Sequence, residues 1–114
     1  MTLDDGAKNA TLQGLANGFN SEANALLTLY IADAVAATFT MPQPIEKTIT
    51  GGLLDFALPE RVMAIASGLP DKAVLSSADG TRNVTFNVGT EITLDKEQIY
   101  LGGYVSLMSL KIQI

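Results

Sequence analysis

The sequence contains no cysteine, no histidine and no tryptophan. Without cysteine there are no disulfides and no thiolate metal ligands, and the redox compartment stays undetermined. Without histidine the chain lacks the commonest general base and the side chain that changes charge near neutral pH. Charge is scarce too: 17% of residues are charged, against roughly 25% in ordinary soluble domains. The seven basic residues, Lys8, Lys47, Arg61, Lys72, Arg82, Lys96 and Lys111, never cluster, and the net charge is −5. No stripe that could track phosphates is present, so no nucleic-acid partner is expected. No apolar run approaches the length of a bilayer span, and no membrane partner is expected. Met1 to Gly6 offers acid and turn residues where a signal peptide needs a basic start and an apolar stretch. The expectation is a chain made and kept in cytoplasm, or released by lysis.

What is present is apolar. Hydrophobic residues make up 47% of 114 residues, enough for one core in one domain and too little chain for two. A surface so poor in charge points to partners that cover part of it. The plain alternative is a monomer faced with Ser, Thr, Asn and Gly.

Residues 1–20 read as an N-terminal helix or arm. Asp4 or Asp5 can cap it, and Leu12, Leu15, Ala16 and Phe19 form one apolar stripe at i, i+3, i+4 and i+7. Asn17-Gly18 predicts its end. Gly6 and Gly14 each weaken it by roughly 1 kcal/mol relative to Ala, so it needs a surface to lie on.

Residues 21–114 read as a single β-sandwich domain of seven or eight strands. Short apolar or alternating runs at 25–31, 36–41, 46–50, 53–57, 61–67, 73–76, 83–88, 92–94, 99–101 and 104–114 are separated by turn residues. Ala32-Asp33 is a possible turn, Pro42-Gln43-Pro44 favours extended backbone, and Asp79-Gly80 is a strong hairpin signal. In 61–67, Val62, Ala64 and Ala66 share one side and Met63 and Ile65 the other. In the last run Val105 and Leu107 share one phase, while Met108, Leu110, Ile112 and Ile114 share the other, the mark of a β-bulge. The fold class is mainly β: an antiparallel β-sandwich or jelly-roll-like barrel with one short N-terminal helix. The predicted core is Leu29, Phe39, Phe56, Val84, Phe86, Ile92, Leu94, Leu107, Leu110 and Ile112.

Candidates for chemistry are few, and the chain is expected not to be an enzyme. The serines at 21, 67, 76, 77, 106 and 109 have no histidine partner. Ser109 and Lys111 can be drawn as a pair, but an ordinary solvated sheet face is the preferred reading. Most Asp residues sit at turns. Asp55 interrupts an apolar run and either faces outward or meets Arg61 or Arg82. Ala78-Asp79-Gly80-Thr81 reads as a turn rather than a calcium loop, and Gly51-Gly52 and Gly102-Gly103 as strand breaks rather than phosphate loops. No catalytic, cofactor-binding or metal-ligating residues are assigned, and no cofactor is expected. Tyr30, Tyr100 and Tyr104 could line a sugar-binding face, which makes a small carbohydrate-binding β-module the alternative function.

Gly89-Thr90-Glu91-Ile92-Thr93-Leu94, followed by Ile99, Gly102, Val105 and Ser109-Leu110-Lys111-Ile112, resembles the ending of small virion proteins of tailed bacteriophages. Leu27-Thr28-Leu29-Tyr30 and Ala36-Ala37-Thr38-Phe39-Thr40-Met41-Pro42 are similar to earlier segments of that loose group, although Pro59 to Pro70 has no counterpart there. The resemblance implies a non-catalytic structural subunit of the virion, made in the host cytoplasm: a capsid decoration (cement) protein or another accessory head, neck or tail subunit. It also implies partners among other virion proteins such as the major capsid protein, and a homo-oligomer with symmetric contacts. The N-terminal helix or the final strand is the expected subunit contact.

Overall fold

Asp4 starts the first helix by satisfying one of its free amide groups: its carboxylate accepts from the Ala7 amide at 2.8 Å. A computed structural model of the chain describes residues 1–21 and 23–114. Helix α1 spans Asp5–Asn20 and buries Leu12, Ala16 and Phe19, with Leu15 half-buried beside them. It runs past the stop expected at Asn17-Gly18. Gly18 serves a close approach instead, because a Cβ there would meet Arg82 Nε at 3.0 Å. That guanidinium lies near the carbonyl end of a helix whose own last turn has no basic residue, where the helix dipole favours a cation.

Ten strands follow. Strands β1 (Leu26–Ile31), β2 (Ala34–Thr40), β6 (Lys72–Ser76) and β7 (Asn83–Asn87) form one antiparallel sheet in the order β2-β1-β6-β7. Strands β3 (Glu46–Thr50), β4 (Leu53–Phe56), β8 (Ile92–Leu94) and β10 (Leu107–Gln113) form a second in the order β3-β4-β10-β8. The short strands β5 (Val62–Met63) and β9 (Tyr104–Val105) pair separately. With 43% of residues in strands and 14% in one helix, the chain is mainly β. Hairpins β1–β2, β3–β4 and β6–β7 each stay within one sheet. The chain changes sheets at residues 41–45, where the Gln43–Pro44 bond is cis and the expected extended segment bends. It returns to the first sheet through residues 57–71, which include β5, and changes a third time near Gly89, whose amide donates to the Ile92 carbonyl at 2.8 Å.

The two sheets share one core. Phe56 of β4 and Phe86 of β7 meet edge to face, with ring centroids 6.1 Å apart and planes at 90°, so the inner faces interlock as in a sandwich. Of the predicted core, Val84, Leu94 and Ile112 are only half-buried, at sheet edges and chain end; the other residues are fully buried. Leu12, Phe19, Leu27, Met41, Ile45, Leu54, Leu75, Ile99 and Val105 complete it. The final strand changes phase at a bulge between Leu107 and Ser109. Leu107 and Leu110 therefore both face the core while Met108 is turned outward.

Helix α1 packs against β3 and β4. Its Asn9 side chain accepts from the Gly52 amide at 2.9 Å. Its Asn20 side chain accepts from the Ile45 amide at 2.8 Å and donates to Glu46 at 2.7 Å. From Asn9 to Asn20 the helix climbs ~16 Å, while β3 and its flanks run the other way over ~20 Å, so the two lie antiparallel. No described helix is long and apolar enough to cross a membrane.

The β1–β2 turn is Ala32-Asp33, with φ of 46° and 72°, which is the geometry of a tight hairpin turn. Alanine in the left-handed region costs roughly 1–2 kcal/mol. Asp33 accepts from Lys72 Nζ at 2.9 Å; this hydrogen bond, then the charge, hold the Asp33 carboxyl below its ordinary value of 3.8. The small stability so gained is present above that value and is lost as pH falls through the lower, folded one.

Two substitutions check this architecture. Phe86→Ala should cost about 3–5 kcal/mol in urea unfolding, and a loss below about 1 kcal/mol would show that β7 does not face the core. Ala32→Gly should instead raise stability by about 0.5–1 kcal/mol, the relieved strain less the added freedom of the unfolded chain.

Candidate functional site: an exposed apolar ribbon

The polar side chains that could carry chemistry are engaged in holding turns and strands. Ser21 donates to the Gly18 carbonyl, Ser67 accepts from the Leu101 amide, and Ser76 donates to Asn83. Ser77 donates to Asp79 at 2.7 Å and accepts from the Arg82 amide at 3.1 Å. Asp79 also accepts from the amide and hydroxyl of Thr81, so residues 77–82 form the hairpin loop read from the sequence. Ser109 bonds Thr93 across the β10–β8 pair, and Lys111 stands opposite Asp55 across β10–β4. Asp55 alternates with buried Leu54 and Phe56 on the outer side of its sheet, and forms no ion pair with Arg61 or Arg82. Among the described residues no three His, Cys, Asp or Glu side chains converge as metal ligands would. A cleft of about 270 Å³ lies between Val88, Gly89, Thr93, Leu94, Lys96 and Glu97. It is lined without an aromatic side chain and sits below the ~300 Å³ at which small-molecule pockets begin.

The tyrosines divide. Lys72 Nζ lies over the Tyr30 ring at 5.3 Å, and the Arg61 guanidinium covers the Tyr104 ring at 4.4 Å. Each of those rings offers a sugar one face fewer.

The unusual surface lies along residues 62–69 and 99–105. Val62 stands opposite Val105, Met63 opposite Tyr104, and Gly68 opposite Ile99, so one antiparallel register holds from end to end. Ala64 still donates to the Gly103 carbonyl at 2.8 Å and accepts from the Gly102 amide at 2.9 Å, and between Gly102 and Ile99 the second segment leaves the ladder. The Gly103 amide donates to the Tyr100 carbonyl at 2.8 Å, closing a turn in which Gly102 takes φ +84°. A side chain is strained at that φ, whereas glycine is not. The Leu101 amide, displaced by this turn, is taken by Ser67 at 2.8 Å. The strand expected over 61–67 is thereby reduced to Val62–Met63, and the run at 99–101 to a single bridge at Ile99. The expected phase is kept: Ala64 is buried and Val62 and Ala66 are half-buried, with Met63 and Ile65 outside. The ribbon caps the open edge of β2, where the Ile65 amide donates to the Ala36 carbonyl at 2.8 Å.

Its outer face is as apolar as its inner one. Met63, Ile65, Leu69, Tyr100, Leu101 and Tyr104 are each between 48% and 67% exposed. Leu101 occupies the turn tip, a position ordinarily given to Gly, Pro, Asn, Asp or Ser. Isolated exposed apolar residues are ordinary, but six on one paired ribbon form a patch of the kind that marks an interaction site.

Compared with known proteins, the chain matches no family model, no curated protein and no solved structure.

The apolar stripe of the helix is spent on the chain's own core, and the bulge at Leu107–Ser109 turns most of the last strand's apolar side chains inward, leaving Met108 and Ile114 exposed. A signal for the ribbon was nevertheless present: residues 62–70 and 98–110 contain no charged residue. If the outer face does nothing for the monomer's stability, Met63→Ser and Leu101→Ser should each shift the unfolding free energy by less than about 0.5 kcal/mol. A loss above about 2 kcal/mol in urea titration that does not vary with protein concentration would mean that these side chains are packed within the chain rather than presented.

Proposed function

We propose that this chain is a non-catalytic structural subunit of a tailed-bacteriophage particle, an accessory head, neck or tail component that works by protein–protein contact. The apolar ribbon carries this reading. A chain with so few charges has the means to dock on proteins by apolar complementarity, and the ribbon presents six such side chains on one face. The cadence of Gly89–Leu94, Ile99, Gly102, Val105 and Ser109–Ile112, similar to that of small virion proteins, supplies the particle. The carbohydrate-binding alternative gains nothing from the tyrosines, two of which already carry a cation on the ring.

The test is recovery from particles. Phage particles banded on a density gradient should contain the chain in a fixed molar ratio to the major capsid protein, by quantitative mass spectrometry. Recovery only from the soluble part of the lysate would remove the reading.

A further inference from the structure

We infer that the outer face of the ribbon is the contact between two copies of this chain, paired about a two-fold axis. The inference rests on the reading above only in taking the ribbon as a protein-contact surface, and it names the occupant.

Area is the first argument. At their observed exposures, Met63, Ile65, Leu69, Tyr100, Leu101 and Tyr104 together leave on the order of 700 Å² in water, backbone and hydroxyl atoms included. A standard protein–protein contact covers about 800 Å² per partner, and the largest apolar patch on a typical monomer is ~300–600 Å². Like faces pressed together would cover this surface almost completely.

Charge is the second argument. Two copies, each carrying a net −5, repel one another, and least where the surfaces that meet carry no charge. The stretches 62–70 and 98–110, which build the face, are uncharged throughout. The Arg61 guanidinium over the Tyr104 ring is the charge that stands against this face, and a second copy brings to the rest of it the same neutral apolar surface. In a two-fold contact each patch is its own complement. The turn contributes the shape, since Leu101 and Tyr100 stand out at its tip while Met63, Ile65 and Tyr104 lie on the strands beside it. Arg61, exposed and held over the Tyr104 ring, precedes the uncharged stretch that builds the face.

Sedimentation velocity on the purified full-length chain tests this. The wild type should sediment as a dimer, and the double variant Met63→Ser/Leu101→Ser should weaken association by ~30-fold or more, as loss of central anchors does. Its circular dichroism should match the wild type, and its melting midpoint should lose the concentration dependence that dimerisation gives the wild type. A second variant avoids any dependence on truncation. The chain has no cysteine, so Leu101→Cys places a single thiol at the turn tip and Thr48→Cys one on the exposed part of β3 as a control. A short bis-maleimide should link the first into dimers and leave the second monomeric. A wild type that stays monomeric at high concentration overturns the inference, as does a dimer that the double variant leaves intact or equal linking of both thiols. If the wild type is monomeric yet found in particles, the two-fold contact falls while the structural role stands. A dimer broken by the double variant and absent from particles has the opposite meaning.

Discussion

The edge-to-face contact of Phe56 on Phe86 is the interaction on which the rest of the molecule depends. It lies where the inner faces of the two sheets meet, and all four phenylalanines are buried in the same core. A chain of this size has little surplus stability, so each element must deliver its apolar face to that one core. The bulge in β10 follows from the same demand. It lets Leu107 and Leu110, three residues apart, point the same way, at the cost of presenting Met108 to water.

Helix α1 obeys the same constraint. With two glycines inside it, it would be marginal alone, and it is held by its buried stripe and by Asn9 and Asn20 along β3. Those amide side chains take the Gly52 and Ile45 backbone N–H groups, which lie at the ends of an edge strand and would otherwise need another partner. Covering β3 in this way also shields a strand edge that could pair with another chain. The ribbon does the corresponding service at β2 through the Ile65 amide. One edge is thus shielded by a helix whose exposed side is polar, and the other by a ribbon whose exposed side is not. This asymmetry directs the functional reading to the ribbon.

Much of the fold was legible in the sequence. The Asp4 cap, the Leu12–Ala16–Phe19 stripe, the Asp79-Gly80 hairpin, the phase of Val62, Ala64 and Ala66, and the phase change after Leu107 all rest on local spacing, and local spacing dictates which face a side chain takes. Gly18 shows where such reasoning stops. By propensity it ends a helix; in the folded chain it makes room for Arg82, some sixty residues away in sequence. The N-terminal stripe and the two-phase last strand likewise looked like surfaces in want of a partner. The stripe is satisfied within the chain, as is the last strand except for Met108 and Ile114, by contacts that no local pattern reports.

The sequence by itself determined the mainly β class, the place of the helix and most of the core, because those follow from periods of 2 and 3.6 residues and from turn chemistry. It also determined what side chains are available, with neither histidine nor cysteine among them. Only the tertiary structure decided which apolar residues remain outside. Met63 and Ile65 lie more than thirty residues from Tyr100, Leu101 and Tyr104, and a patch exists only once pairing at Val62–Val105 and Gly68–Ile99 sets the two segments side by side. Exposure is a property of the whole packed chain, since a residue is buried or left in water by whatever folds over it.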